Sequence, residues 1–390
     1  MTDMRYQFKN KRVLLVDGSA RQVLPLAKSL RSKKCYVATY NGSKFDVGYS
    51  SRYPDKRVLG YCIQDDKDKT YECLKEEIQN GQYDVVIPTN DFVATILSQN
   101  KPELSKYAFI SVVDWDTFVL SIDKLKTMRI CMENNIPCPR TVLESDIEEL
   151  GKYEFQFPVV VKPRTSYAGI GFSTVNSYEE LRNAFAAVCN RFGGALCQEY
   201  IPQTMKQYNA QLFVDKYGAV KSSIVYTKVR WFPLSGGSST LNVTVDRPDI
   251  LETCESFLKK INWRGYAEIE LIDDPRDGIA KLMEINPRLS GSVKICYMAG
   301  VDFSRQFLED ALDMEVTSFL PYKKNVYLRF YHKDILWFLK SNDRFKAEPS
   351  WFSHLFVPDQ IFSWDDPLPF FAYTITGFKK LSEDKKRRNI

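Results

Sequence analysis

Two short stretches hold most of the side chains that could do chemistry. In residues 158 to 172, PVVVKPRTSYAGIGF, an apolar run ends in Lys162 and passes into a loop carrying Ser166, Gly169 and Gly171. In residues 281 to 292, KLMEINPRLSGS, Glu284 and Asn286 stand two apart and Arg288 directly follows Pro287. An ammonium at the end of a buried strand is a compact charge for phosphate oxygens. Small loop residues with free backbone N–H groups can close over an anion. A carboxylate and an amide on one strand face are hard oxygen ligands of the kind Mg²⁺ takes. Either stretch alone reads as an ordinary strand end or a solvated sheet face; together they offer what is needed to hold the magnesium complex of a nucleoside triphosphate.

The elements around these residues must aim them. Alternation along 281 to 286 sends Leu282, Glu284 and Asn286 to one side and Met283 and Ile285 into the core. The run GYAEIELI at 265 to 272 likewise separates Glu268 and Glu270 from Ile269 and Leu271. A hairpin register that sets Glu270 opposite Glu284 brings Glu270, Glu284 and Asn286 together as metal ligands. Close carboxylates repel by about 1 kcal/mol or more per pair unless a cation intervenes. That argues for a metal over a solvated face balanced by Lys281 and Arg288. Arg288, just past the strand, can stabilise charge developing on a transferring phosphoryl group; its plainer role is to pair with Glu284 or Glu268. Residues 197 to 202, CQEYIP, read as a strand ending in a hinge whose backbone and apolar wall can grip a flat purine.

The rest of the chain supplies a scaffold. Residues 12 to 16, 35 to 40, 84 to 88 and 109 to 113 read as strands, with a helix at 20 to 33 between the first two, so an open parallel sheet of about four strands begins the chain. The turn Asp17-Gly18-Ser19 lacks the three glycines of a dinucleotide fingerprint, which argues against a cofactor there. A helix from Ser121 to Glu133 bridges to the next unit. Ser177 with Glu180 three residues on marks the cap of a helix at 177 to 191. Strands at 195 to 201, 208 to 214, 219 to 229, 265 to 272 and 279 to 286 form an antiparallel sheet, a packing helix follows at 303 to 317, and the aromatic segment beyond 320 reads as a small appended lobe. The expected units are residues 1–118, 119–195, 196–320 and 321–390.

Composition narrows the classes. The chain has 390 residues, 44% of them hydrophobic and 26% charged, as in ordinary globular proteins. Its formal charge of +5 owes much to Lys379, Lys380, Lys385, Lys386, Arg387 and Arg388, read as a solvated terminus with no nucleic-acid role. Nine scattered cysteines fit reduced thiols in the cytoplasm. No apolar run approaches the roughly 20 residues that span a bilayer, so membrane insertion is not expected. With only His332 and His354, paired-histidine zinc sites and histidine triads have little to work with.

On these motifs, the stretch from about 120 to 315 resembles the ATP-grasp superfamily, particularly carboxylate-amine ligases similar to half of the carbamoyl-phosphate synthase large chain, with D-aspartate ligases among the nearest neighbours. The resemblance implies a fold mixing α/β and α+β: an open parallel βαβ sheet before a two-lobed ATP grasp with an antiparallel sheet. By it, Lys124 in SIDKLKTM and Lys162 bind ATP phosphates under a lid at 164 to 171, and Glu199, Tyr200 and Ile201 form the adenine hinge. Glu270, Glu284 and Asn286 hold one or two Mg²⁺, or Mn²⁺ in its place, and Arg288 serves the acyl phosphate. Lys228 and Arg230 look similar to basic residues the family points at the γ-phosphate or the carboxylate. Gln207 stands where an acidic residue usually meets the ribose, and an amide can still bond a hydroxyl. No second grasp half, glutaminase nucleophile or biotin-carrier segment is found, which disfavours carbamoyl-phosphate synthesis and biotin carboxylation. The implied substrates are a small carboxylate and an amine, joined through an acyl phosphate; many such ligases are homodimers. The same site would also serve a small-molecule kinase or a non-catalytic nucleotide-binding module. Intact Glu270, Glu284, Asn286 and Arg288 argue against the module.

Overall fold

The computed structural model describes residues 7–64, 66–142, 156–165, 171–202, 205–234, 236–354 and 356–377. The first unit is a parallel sheet of β1 (Arg12–Val16), β2 (Tyr36–Asn41), β3 (Lys56–Leu59), β4 (Val85–Pro88) and β5 (Phe109–Ile110) in the order β3-β2-β1-β4-β5. Short apolar runs such as Leu14, Leu15 and Val16 are fully buried because helices cover both faces of a parallel sheet. The sheet has five strands rather than four. The charged edge strand β3, KRVL, gives no apolar signal, and β5 is two residues long, shorter than expected.

Asp123 divides the expected bridging helix into Trp115–Ile122 and Lys124–Glu133. Its carboxylate accepts from the backbone of Leu125 and Lys126, as an N-cap does, and takes the Arg164 guanidinium at 2.5 Å. A second sheet follows, antiparallel throughout: β6 (Thr141–Val142), β7 (Val159–Pro163), β8 (Ser173–Val175) and β9 (Ala195–Glu199), in the order β6-β9-β7-β8. The helix Tyr178–Phe192 packs on it, its Ser177 cap accepting from Glu180 N at 3.2 Å. This small lobe has its own apolar cluster around Val159, Val161, Leu181, Phe185 and Cys197.

The large sheet runs β14-β13-β10-β11-β12-β15, built from β10 (Gln207–Val214), β11 (Val220–Phe232), β12 (Ser238–Thr244), β13 (Gly265–Asp273), β14 (Ala280–Asn286) and β15 (Tyr327–Arg329). Ser238 and Ser239 begin β12. The helix expected at 303 to 317 ends at Ala311. Residues beyond 320 do not stand apart: β15 is the sheet's outer strand, and Phe330 and Ile361 pack with Leu24 and Val47 of the first unit. The largest apolar cluster runs from Val13 and Val85 of the parallel sheet to Phe213, Tyr226, Phe303 and Leu328. All nine cysteines are unpaired.

Candidate functional site

The hairpin of β13 and β14 makes the floor of the site. Glu270 pairs with Glu284 and Glu268 with Asn286, the register the metal reading needs. The next pair is Leu271 with Leu282, so Met283 is an extra residue that bulges β14. This corrects the simple alternation: Leu282 enters the core with Ile285, Ile269 and Leu271, while Glu284 and Asn286 keep to the other side.

Each carboxylate on the floor has a protein cation. Glu270 meets Lys228 Nζ at 3.2 Å, Glu284 meets Lys124 Nζ at 3.6 Å, and Glu268 is bonded to Arg288 Nη1. Asn209 Nδ2 donates to the second oxygen of Glu268 at 3.0 Å. Repulsion among carboxylates therefore does not by itself call for a metal. Lys281, expected to balance the face, is instead bonded to Asp277 at 2.5 Å.

Two ties bring the small-lobe cations over this floor. Lys124 N donates to Arg164 O at 2.9 Å, and the Arg164 side chain returns to Asp123, so the start of the helix Lys124–Glu133 is fastened to the end of β7. Lys162 lies one residue before that end and pairs with Leu196 of β9. Burial and neighbouring Lys124 pull the Lys162 ammonium down to about 8, with Glu284 opposing. Burial pushes the Glu284 carboxyl up, but Lys124, Lys162, Arg288 and Lys228 outweigh it and hold the group below its ordinary value. Lys124, Lys162, Lys228, Arg288, Glu270 and Glu284 thus share one electrostatic site.

Gln207 closes its flank, Oε1 accepting from Lys228 Nζ at 3.1 Å. Glu199, Tyr200 and Ile201 lie where β9 leaves the small lobe. Ile201 is buried, and the Glu199 carboxylate bonds Arg140 N and Arg276, the latter from the turn between β13 and β14. The Glu199 side chain therefore latches the small lobe to the large sheet, and the Glu199 backbone N–H donates to Arg140 O at 2.9 Å.

Arg230 is not brought to the site. The pairing passes from Lys228 with Asn242 to Arg230 with Leu241, so a bulge at Val229 turns the two side chains to opposite faces. Arg230 is buried instead, with Nε 3.1 Å from Asp334, whose carboxylate also takes Arg329 and Thr240. Gly171 has φ of 78°, and a Cβ there would come within 2.6 Å of Pro163, so the turn itself requires glycine. Ser166, Gly169 and most of the 164 to 171 loop lie outside the described residues, as does the basic run from Lys379.

Among the described residues, no three His, Cys, Asp or Glu side chains gather as a ready metal cage. The donor set is two cross-strand carboxylates, Glu270 and Glu284, with the Asn286 amide beside them. Asn286 Nδ2 is buried and has no hydrogen-bond partner among the described residues; its Oδ1 is the atom that could join a metal. Such a partial set suits Mg²⁺, which keeps waters and shares its sphere with phosphate oxygens.

Asp91 is the site residue that sequence reasoning missed. Arg288 Nε lies 3.1 Å from its carboxylate, so the first unit and the large sheet grip one guanidinium from two sides. Its signal was a carboxylate just past a parallel strand, where open sheets place functional groups.

Residues 121–292 match the family described as ATP-grasp domain, a span that takes in Lys124, Lys162, Glu270, Glu284, Asn286 and Arg288. D-aspartate ligase of Enterococcus faecium is 30% identical over 248 residues, 58% of this chain and 58% of that protein. The chain thus spans little more than half the length of this curated relative. Biotin carboxylase from Campylobacter jejuni, solved with a nucleotide, superposes with TM-score 0.69 at 16% identity, covering 82% of this chain and 75% of that one. L-amino acid ligase from Bacillus licheniformis gives 0.60 at 17% identity, covering 78% and 74%. These structures share the fold: parallel sheet first, then the two-lobed ATP-grasp domain with its antiparallel sheets.

Proposed function

We propose that the protein is an ATP-dependent ligase joining a carboxylate to an amine with release of ADP and phosphate. The observation that carries this reading is the meeting of Lys124 and Lys162, from the small-lobe side, with Glu284 set opposite Glu270 on the floor. ATP would lie between them, its base at the hinge of Glu199, Tyr200 and Ile201 and its ribose near Gln207. Lys124 and Lys162 would meet phosphate oxygens. Glu270, Glu284 and Asn286 would hold one or two Mg²⁺, or Mn²⁺ in its place. Such an ion would neutralise charge on the phosphates when bound.

A carboxylate oxygen of the acid attacks the γ-phosphorus, the bond to ADP breaks, and an acyl phosphate forms. The amine then attacks the acyl carbon, phosphate leaves, and the amine gives up a proton. Activation is needed because a carboxylate is a poor electrophile until one oxygen becomes a good leaving group. Arg288, gripped by Glu268 and Asp91, is oriented to stabilise charge on the transferring group, and Lys228 neutralises the same region. The lid at 164 to 171 would exclude water from the acyl phosphate.

The substrate is an amino acid or a cell-envelope or capsule precursor, and similarity to D-aspartate ligase supports the amino acid. The reading includes a cytoplasmic homodimer, with residues 1–118 helping to shape the substrate side. A phosphate-release screen crossing amino acids and sugar acids with amines tests it: release should require one of each. ADP formed with a single substrate would identify a kinase instead, and tight ATP binding without any turnover a binding module.

A further inference from the structure

A cavity of about 280 Å³ lies where three parts of the chain meet. Ile87 near the carboxyl end of β4 and Ser111 just past β5 line it from the first unit, Phe307 and Asp310 from the helix Phe303–Ala311, and Arg264 from the turn into β13. Pro287, Arg288 and Leu289, which follow β14, line it as well, so the cavity shares Arg288 with the candidate site. Open sheets take ligands outside the carboxyl ends of their strands, and pockets favour junctions between units. The volume falls at the small end of ligand pockets, which run from about 300 to 1,000 Å³.

Most charges here are already matched. Lys101 Nζ meets Asp114 at 2.7 Å and Val112 O at 2.7 Å, Lys216 is bonded to Asp313, and Arg288 is held by Asp91 and Glu268. Asp310 differs. It is half-buried, and its carboxylate has no hydrogen-bond or ion-pair partner among the described residues. Burial pushes this carboxyl up to about 6, with Lys101 and Lys216 drawing it down and Asp215 and Asp313 adding to the rise. Such a carboxylate is costly until a cation reaches it. Arg264 gives Nε to Lys216 O at 3.1 Å and Nη1 to Trp263 O at 2.7 Å, while Nη2 has no partner among the described residues. The hydroxyls of Ser111 and Thr117 have none there either. Phe109, Val113 and Phe307 supply an apolar wall.

We propose that this cavity binds a free amino acid with a small apolar side chain, its ammonium on Asp310 and its carboxylate at Arg264 Nη2 with the Ser111 and Thr117 hydroxyls. Arg264 and Asp310 form no ion pair with each other, and a zwitterion brings the missing opposite charge to both. A diacid would set a second carboxylate near Asp310 and Asp114, and an amine without a carboxylate would leave Arg264 unmatched. The apolar wall favours a side chain of about valine's size. The claim is one of binding and does not rest on the ligase reading.

Calorimetric titration of the full chain with valine and its analogues tests it. Valine should bind, while aspartate, N-acetylvaline and valinamide should each bind about tenfold more weakly or less, since each adds a repelled charge or removes a matched one. Asp310→Asn and Arg264→Met should each weaken valine about tenfold, with melting temperature and ATP affinity close to the parent. Affinity should also decline as pH falls through about 6, where Asp310 takes up a proton and loses its hold on an ammonium. No binding of valine or alanine at about 10 mM, or equal binding by the folded Asp310→Asn variant, overturns the proposal. So does N-acetylvaline binding as well as valine, which would show that Asp310 receives no ammonium.

Discussion

Glu284 keeps its charge in a half-buried setting because four cations face it. Glu284→Gln retains the shape and removes the charge, so turnover should drop by about 100-fold or more, with melting temperature nearly unchanged in a thermal scan. Asp91→Asn leaves Arg288 bonded to Glu268 but loosens its second hold; kcat should fall about tenfold with little change in KM for ATP. Lys162 gives a pH signature. Its ammonium is complete only below about 8, and phosphate oxygens favour the charged form. Nucleotide affinity should therefore be full at lower pH and decline as pH rises through that value, whereas Lys162→Met should bind weakly with no such slope in calorimetric titrations. Glu270, Glu284 and Lys162 were legible in the sequence because strand alternation is a local rule. The Asp91–Arg288 contact was not, since its partners are 197 residues apart and meet only when two sheets dock.

Two β-bulges decide which face several side chains adopt. Met283 lets Leu282 and Ile285 both reach the core while Glu284 stays over the site, and Val229 separates Lys228 from Arg230. A two-residue period cannot reveal an inserted residue, which is why the sequence kept Arg230 on the same side as Lys228 while the structure turns it to Asp334. The correction has a measurable consequence. Arg230→Met would leave Asp334 with a buried charge less well compensated, costing on the order of 3 kcal/mol in denaturant unfolding, while kcat of the folded fraction should stay within about twofold of the parent. A catalytic Arg230 would give the reverse pattern. At the same scale, β3 escaped because it is a charged edge strand and β5 is shorter than the 109 to 113 expected, whereas the buried β1, β4 and β7 announced themselves through runs of valine, leucine and isoleucine.

Across the whole molecule, apolar packing joins what the sequence divided. One cluster runs from Val13 through Phe213 to Leu328, and Gln22 Nε2 bonds both Thr89 O and Leu289 O across the same junction. Expected breaks near 118 and 320 follow changes in local pattern, and local pattern carries no information about which faces meet later. The small lobe has a core of its own. Amide hydrogen exchange should be faster in β7, β8 and β9 than in β10 and β13, and saturating ATP with Mg²⁺ should slow it in the small lobe most, because a ligand held between lobes stabilises only the closed arrangement.

That shared interior also constrains how the protein can be recombined with its relatives. A chimera spliced near residue 118 would sever one continuous interior and leave Phe213 and Tyr226 facing a foreign surface. Crossovers that bracket the lobe of β6 to β9 exchange a unit that carries its own filling, so donor swaps for altered nucleotide preference belong there.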